Sequence, residues 1–156
     1  MDWLLELSVY CILIIIAWID CKTMEIPDRW NLLLAVCGVA AMFIKTDPAM
    51  SDRIIGACCI SIPMYLMICL IPGSFGGGDV KLTFVMGFYL GWKKSLIGAY
   101  LACLMGGCRA LVLLLSGKVK AGDGAHMAFG PALCMGFILA NRYGEELLNW
   151  YLGLFL

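Results

Sequence analysis

Two aspartates, Asp20 and Asp79, lie at the ends of apolar stretches of the chain, and their side chains are suited to acid–base chemistry. Two carboxylates a few ångströms apart cannot both ionise cheaply, so a converging pair shares one proton. The ionised partner can remove a proton from water, while the protonated partner polarises a carbonyl and later protonates the leaving amine. A converging pair therefore predicts peptide hydrolysis, with Asp20 and Asp79 as the catalytic residues.

The composition indicates a membrane protein. Hydrophobic residues make up 63% of the 156-residue chain and charged residues only 14%, which is roughly half the charged share of a soluble domain. We therefore expect one all-α, polytopic integral-membrane domain over residues 1–156. The formal net charge is zero, which argues against nucleic-acid binding because such binding needs a concentrated basic surface.

Apolar runs between charged residues predict about six transmembrane helices. Their approximate bounds are 3–19, 27–44, 53–72, 79–92, 95–116 and 127–141. Residues 142–156 alternate charged and apolar residues, a pattern typical of an interfacial helix or a frayed tail.

A glycine-rich loop, residues 73–78, precedes the fourth predicted helix. That helix has about fourteen residues and a length of roughly 21 Å, short of the ~30 Å hydrocarbon core. Irregular backbone at membrane depth is tolerated only where protein or a water-filled cavity surrounds it. We therefore expect the loop to complete the crossing and to place Asp79 in a wet cleft.

Helix counting places both aspartates on one face of the bilayer. Asp20 follows the first predicted helix and Asp79 follows the third, so two crossings return the chain to the side it left. Of the eleven basic residues, five lie on each side and Arg109 lies inside a predicted span, so the positive-inside rule does not orient the protein. Asp20 alone can merely end a helix, and Asp79 alone can be a helix N-cap. Their convergence favours a function, because intramembrane acids are energetically unfavourable.

Three segments resemble motifs of the type IV prepilin peptidases, which are GxGD intramembrane aspartyl proteases. Residues 76–82 resemble the GxGD signature, including the Val-Lys that commonly follows it. Residues 20–28 resemble the first motif of the family, an Asp followed six and seven residues later by Ile-Pro. Residues 129–133 resemble the segment that opens the last core helix, although Ala128 replaces its first Pro. The three motifs occur in the order and spacing of the family.

The resemblance implies a hydrolase that removes the short basic leader of prepilin-like precursors, in front of their hydrophobic helix. It also implies a prokaryotic cytoplasmic membrane with the catalytic face cytoplasmic. Asp20 and Asp79 match the catalytic aspartates of the family. Longer members carry an extra amino-terminal segment and methylate the new amino terminus. This sequence starts almost directly in a helix and resembles the short form, so methyltransferase activity is not expected.

Five further residues are candidates for binding the substrate. The glycines beside Asp79, Gly76, Gly77 and Gly78, leave room for an extended substrate backbone that a Cβ would obstruct. Glu25 and Asp28 flank the first motif and can attract a basic leader, although a solvated loop edge accounts for them equally well.

The expected partners are prepilin-like precursors and membrane lipid. The nine cysteines form no CxxC pair, and the single histidine, His126, has no accompanying ligand set. Because metal sites need clustered ligands at defined spacing, we expect no metal and no organic cofactor.

Two other functions remain open from the sequence. A small ion or solute carrier can bind a cation with paired acids at a broken helix. Carriers tend to place such acids near the midplane, whereas Asp20 and Asp79 lie at helix ends. The second alternative is a scaffold that binds pilin precursors without cutting them, and only a cleavage assay excludes it.

Overall fold

The computed structural model describes residues 2–71, 73–116 and 128–153 of the chain. These residues form five α-helices: α1 (Asp2–Thr23), α2 (Asp28–Ile44), α3 (Met50–Leu70), α4 (Gly77–Leu115) and α5 (Gly130–Gly153). The longest helix, α4, is central and packs against α2, α3 and α5, while α1 packs against α2 and α5. The predicted loop with His126 and the end of the predicted tail, residues 154–156, lie outside the described residues.

Apolar side chains from α1, α2, α4 and α5 form one core. Leu13 and Ile16 of α1, Leu82 of α4 and Phe137 of α5 are completely buried in it. Large apolar side chains also cover the outer surface, among them Phe43. An apolar exterior of this extent fits a helix bundle surrounded by lipid.

The prediction of about six transmembrane helices is wrong. The fourth and fifth predicted segments form one continuous element of 39 residues, α4, in which two helical stretches meet at a kink. The sixth predicted segment continues through the polar tail as α5. Lys93 and Lys94 favour a turn in the sequence, but both lie within α4, just after its bend, and Lys94 pairs with Glu145 of α5 at 2.7 Å. Among the described residues, three helices, α1, α3 and α4, are long and apolar enough to cross a membrane.

The bend in α4 lies at Gly91, whose backbone angles are non-helical (φ 75°, ψ 169°). A positive φ of this size favours glycine, because a Cβ would strain the backbone. Kinks arise where a glycine or an inserted side chain interrupts the ladder of backbone hydrogen bonds. The short, separate fourth helix of the prediction is therefore the first part of a longer, kinked one.

Arg53 of α3 braces this bend from inside the bundle. Its side chain is 1% exposed, and it donates hydrogen bonds to the carbonyl of Pro48 at 3.0 Å and to the carbonyls of Phe88 and Tyr89 at 3.4 Å. The guanidinium thereby supplies donors to carbonyls that precede the bend. Its sequence position at a predicted helix end gave no sign of complete burial.

The glycine-rich loop is shorter than predicted, because α4 begins at Gly77 with Gly76 as its N-cap. Gly77 and Gly78 therefore belong to the first helical turn. The Asp79 carboxylate accepts a hydrogen bond from the Gly76 backbone N–H at 3.3 Å. An acidic side chain three residues after the N-cap stabilises a helix start, which compensates for the low helix propensity of the two glycines.

Candidate active site

Asp20 lies in the last turn of α1 and faces the interior. Val9, Leu13 and Ile16 precede it at spacings of three and four residues, and all are buried, so Asp20 continues the core-facing stripe of the helix. Its side chain is only 4% exposed. Met24, which follows the end of α1, has a φ of 56°, and its N–H donates to the Asp20 carbonyl at 3.0 Å. The helix therefore ends just after the carboxylate.

Asp79 lies in the first turn of α4 and also faces the interior. It shares a helix face with Leu82, Thr83 and Met86, which are buried, and its own side chain is 7% exposed. The Gly76 N–H binds Oδ2 of Asp79. The other oxygen, Oδ1, is buried and has no hydrogen-bond partner among the described residues. An unpartnered buried oxygen is typical of a group that acquires its partner during function.

Both carboxylates line one cavity of about 400 Å³. The two helices between them, α2 and α3, return the chain to the end of the bundle where α1 stops. All seven residues predicted from the sequence line this cavity: Asp20, Glu25, Asp28, Gly76, Gly77, Gly78 and Asp79. Among the described residues, the charged side chains in this lining are all acidic. The catalytic and binding roles of these residues stay predictions.

Gly130, the first residue of α5, was not predicted as a site residue. Its backbone N–H donates a hydrogen bond to Oδ2 of Asp20 at 3.0 Å. The first N–H groups of a helix have no partner within the helix and point towards an anion. The signal in the sequence was the motif at residues 129–133, but spacing alone did not assign it a contact with Asp20.

Ile26 connects the three motifs physically. It is buried and lines the cavity. A Cβ on Gly78 would lie 2.8 Å from the Ile26 Cβ, and a Cβ on Gly130 would lie 3.2 Å from its Cδ1. The isoleucine of the first motif therefore packs against the glycines that adjoin both carboxylates.

Two basic residues connect the segments around the cavity through side-chain hydrogen bonds. Lys81 donates to both carboxylate oxygens of Asp28, at 2.7 and 2.8 Å, and ties the start of α2 to α4. Arg109 of α4 donates to the carbonyl of Ala128 at 3.4 Å, two residues before Gly130. Within the described ranges, no group of three or more His, Cys, Asp or Glu residues could hold a metal ion.

The geometry of the two carboxylates is suited to acid–base chemistry. Two buried carboxylates share one cavity, and each is oriented by a hydrogen bond from a backbone N–H. A carboxylate held in this way keeps its position without help from flexible side chains, which is the preorganisation that catalysis requires.

Comparison with known proteins identifies the relatives of this chain. Residues 7–111 match the model of the type IV leader peptidase family. A prepilin leader peptidase/N-methyltransferase of Bacillus subtilis (strain 168) is 29% identical over 141 residues, which are 90% of this chain and 56% of the relative. A protein of the same description from Legionella pneumophila is 31% identical over 150 residues, which are 91% of this chain and 50% of the relative.

A third relative of that description, from Aeromonas hydrophila, is 28% identical over 150 residues, covering 93% of this chain and 51% of the relative. The chain therefore spans about half the length of the curated relatives it matches. No solved structure matches the chain.

Proposed function

Since the chain belongs to the type IV leader peptidase family, we propose that it is an aspartic endopeptidase that uses Asp20 and Asp79. The observation that carries the proposal is their shared cavity. The two side chains come from helices that are far apart in sequence, both are more than nine-tenths buried, and both line the same space. Burial of two acids in a mainly apolar bundle is energetically unfavourable, so acids in such positions usually have a function.

The proposed reaction adds water to a peptide bond. One carboxylate, ionised, accepts a proton from the attacking water, and the other, protonated, donates a hydrogen bond to the scissile carbonyl. The tetrahedral intermediate collapses as the C–N bond breaks, and the leaving amine takes up a proton from the carboxyl pair. The unpartnered Oδ1 of Asp79 supports this reaction because it is free to hold the shared proton.

The proposed substrates are prepilin-like precursors with a short basic leader. The cavity lining supports a cationic leader because, in the described part of the chain, its four charged residues are acidic: Asp20, Glu25, Asp28 and Asp79. Gly77 supports an extended substrate backbone, because no described residue outside its own helical turn lies within 4 Å of the position that a Cβ on it would occupy. We assign Gly76 and Gly78 to the same face of the cavity.

We further propose a multi-pass location in a prokaryotic cytoplasmic membrane, with the cavity open to the cytoplasm. Three helices of sufficient length and hydropathy in the described part of the chain support the membrane location. The cytoplasmic orientation follows from the substrate, since a basic leader remains on the cytoplasmic side of the membrane.

Cleavage of a matched precursor tests the proposal. The protein is co-expressed with candidate precursors from the same genome, and the amino terminus of each product is sequenced. We expect cleavage between the basic leader and the apolar segment. Asp20→Asn and Asp79→Asn each abolish cleavage, whereas Asp52→Asn, in the first turn of α3 and outside the catalytic cavity, preserves it.

Two outcomes contradict this function. One is full processing of the precursor by either Asn variant of the pair, with the protein present in the membrane at wild-type level. The other is loss of activity with EDTA and its recovery with zinc, because the proposed chemistry needs only the two carboxylates and water.

A further inference from the structure

An open apolar groove of about 780 Å³ lies beside the catalytic cavity. Three helices line it: α2 with residues 28–35, α3 with residues 61–66, and α4 with residues 80–85. Asp28 lines both the groove and the catalytic cavity. Val80 and Lys81, which also line the groove, directly follow Asp79. The groove is therefore continuous with the site of the proposed reaction.

The walls of the groove are apolar side chains that the described residues leave uncovered. Leu32 of α2, Tyr65 and Leu66 of α3 and Phe84 of α4 are each about half exposed or more. The charged residues of the lining are Asp28, Arg29 and Lys81, and all three lie at the end nearest Asp79. The groove is thus charged at its junction with the catalytic cavity and apolar beyond it.

The dimensions fit an α-helix. Residues 28–35 of α2 rise about 10 Å along the helix axis. A cylinder of that length with a diameter of ~10 Å, the width of a slender α-helix, occupies roughly 800 Å³. This volume is close to that of the groove, so the space accommodates about two turns of an apolar helix lying across α2, α3 and α4.

Asn31 is a polar exception within the groove lining. Its side chain is 5% exposed, and neither its Nδ2 nor its Oδ1 has a hydrogen-bond partner in the described part of the chain. Buried amides are normally satisfied. An unsatisfied amide at this position offers one donor and one acceptor to a polar group of a bound segment, which apolar lipid tails do not provide.

We propose that this groove binds the apolar helical segment that follows the scissile bond of the precursor, while the acidic cavity binds the basic leader. This inference rests on the proposed function. In such a precursor, a basic stretch leads directly into an apolar helix. The acidic cavity and the apolar groove adjoin each other in the same order, so each can bind the matching part of the polypeptide. Asp28, at the junction, faces the segment between them. The groove residues thereby determine specificity for the part of the substrate that remains after cleavage.

Filling the groove tests this inference. Ala35→Trp places an indole in the groove. Val36→Trp is the matched control, because Val36 is the next residue, is exposed and does not line the groove. The substrates are the whole precursor and a peptide that ends a few residues after the cleavage site. For the wild-type protein, we expect the KM of the whole precursor to be at least tenfold lower than the KM of the truncated peptide. Ala35→Trp is expected to bring the ratio of the two KM values towards one, whereas Val36→Trp is expected to leave that ratio at the wild-type value.

A photo-crosslinking experiment identifies the occupant directly. Benzoylphenylalanine replaces either Leu66, which lines the groove, or its neighbour Met67, which does not, in an Asp79→Asn background that retains uncut precursor. We expect the Leu66 position to crosslink to the apolar segment of the precursor and the Met67 position to give at least fivefold less product.

The outcomes separate this inference from the proposed function. Failure of the wild-type protein to cleave any precursor removes the proposed function, and the groove inference with it. Normal cleavage by wild type, combined with an unchanged KM ratio in Ala35→Trp, overturns the groove inference alone. Crosslinking from position 66 to lipid or to a second copy of this chain, without precursor, also overturns it.

Discussion

The backbone N–H of Gly130 lies 3.0 Å from Oδ2 of Asp20, in a hydrogen bond that joins residues 110 positions apart in the sequence. It connects the start of α5 to the end of α1 at the wall of the catalytic cavity. The contact leaves no room for a side chain, because a Cβ on Gly130 would lie 2.6 Å from the same carboxylate oxygen.

Gly130→Ala is therefore expected to displace the Asp20 carboxylate and to lower kcat about 100-fold, since a shift of about 1 Å in a catalytic group has an effect of this size. The measurement is the rate of precursor cleavage in detergent or proteoliposomes, together with the Tm. Gly107→Ala is the matched control, because no other part of the described structure lies within 4 Å of its added Cβ, apart from its own helix backbone and chain neighbours. Equal rates for wild type and Gly130→Ala would show that Asp20 does not require this contact.

The neighbouring glycines of α4 are expected to respond differently to the same substitution. A Cβ on Gly78 would lie 2.8 Å from the Ile26 Cβ, whereas a Cβ on Gly77 meets nothing within 4 Å. Gly78→Ala should lower the free energy of unfolding by about 1–3 kcal/mol, as overpacking does. Gly77→Ala should keep the wild-type Tm and raise KM, because its methyl group projects towards the substrate. A wild-type KM for Gly77→Ala would remove this glycine from the substrate site.

Glu25 and Asp28 are expected to contribute unequally to binding of a basic leader. Lys81 already pairs with Asp28, whereas Glu25 forms no ion pair within the described residues, so its charge is available to the substrate. Glu25→Gln should raise KM roughly three- to tenfold at low salt, and Asp28→Asn less, with both effects reduced at high salt by screening. KM is measured at two ionic strengths. A larger effect for Asp28→Asn would assign the leader contact to Asp28 instead.

Arg53 is expected to be important for stability rather than catalysis. Its buried guanidinium donates to backbone carbonyls beside the bend at Gly91, and removing it leaves these acceptors unsatisfied. Arg53→Ala should lower the free energy of unfolding by about 2–4 kcal/mol. The Tm of the detergent-solubilised protein checks this, with the exposed Arg142→Ala as the control. A wild-type Tm for Arg53→Ala would mean that the bend is held by Gly91 and packing alone.

The sequence was informative about the candidate site and less so about the helices. The residue types and local motifs singled out Asp20, Asp79 and the residues beside them, and all of these line one cavity. Hydropathy, by contrast, separated α4 into two segments at Lys93 and Lys94. The pairing of Lys94 with Glu145 and the buried contacts of Arg53 involve residues on different helices, and a local pattern of charge does not reveal them.

What the sequence determined by itself is therefore what depends on neighbouring residues: the apolar character, the motif that begins with Asp20 at the end of the first helix, and the acidic residue at the start of α4. The tertiary structure decided what depends on the packing of distant helices. It placed Gly130 against Asp20 and Lys81 against Asp28, and it left the groove between α2 and α3 uncovered. These contacts form only when the helices dock, because each distance is set by the crossing and register of two elements and not by spacing along the chain.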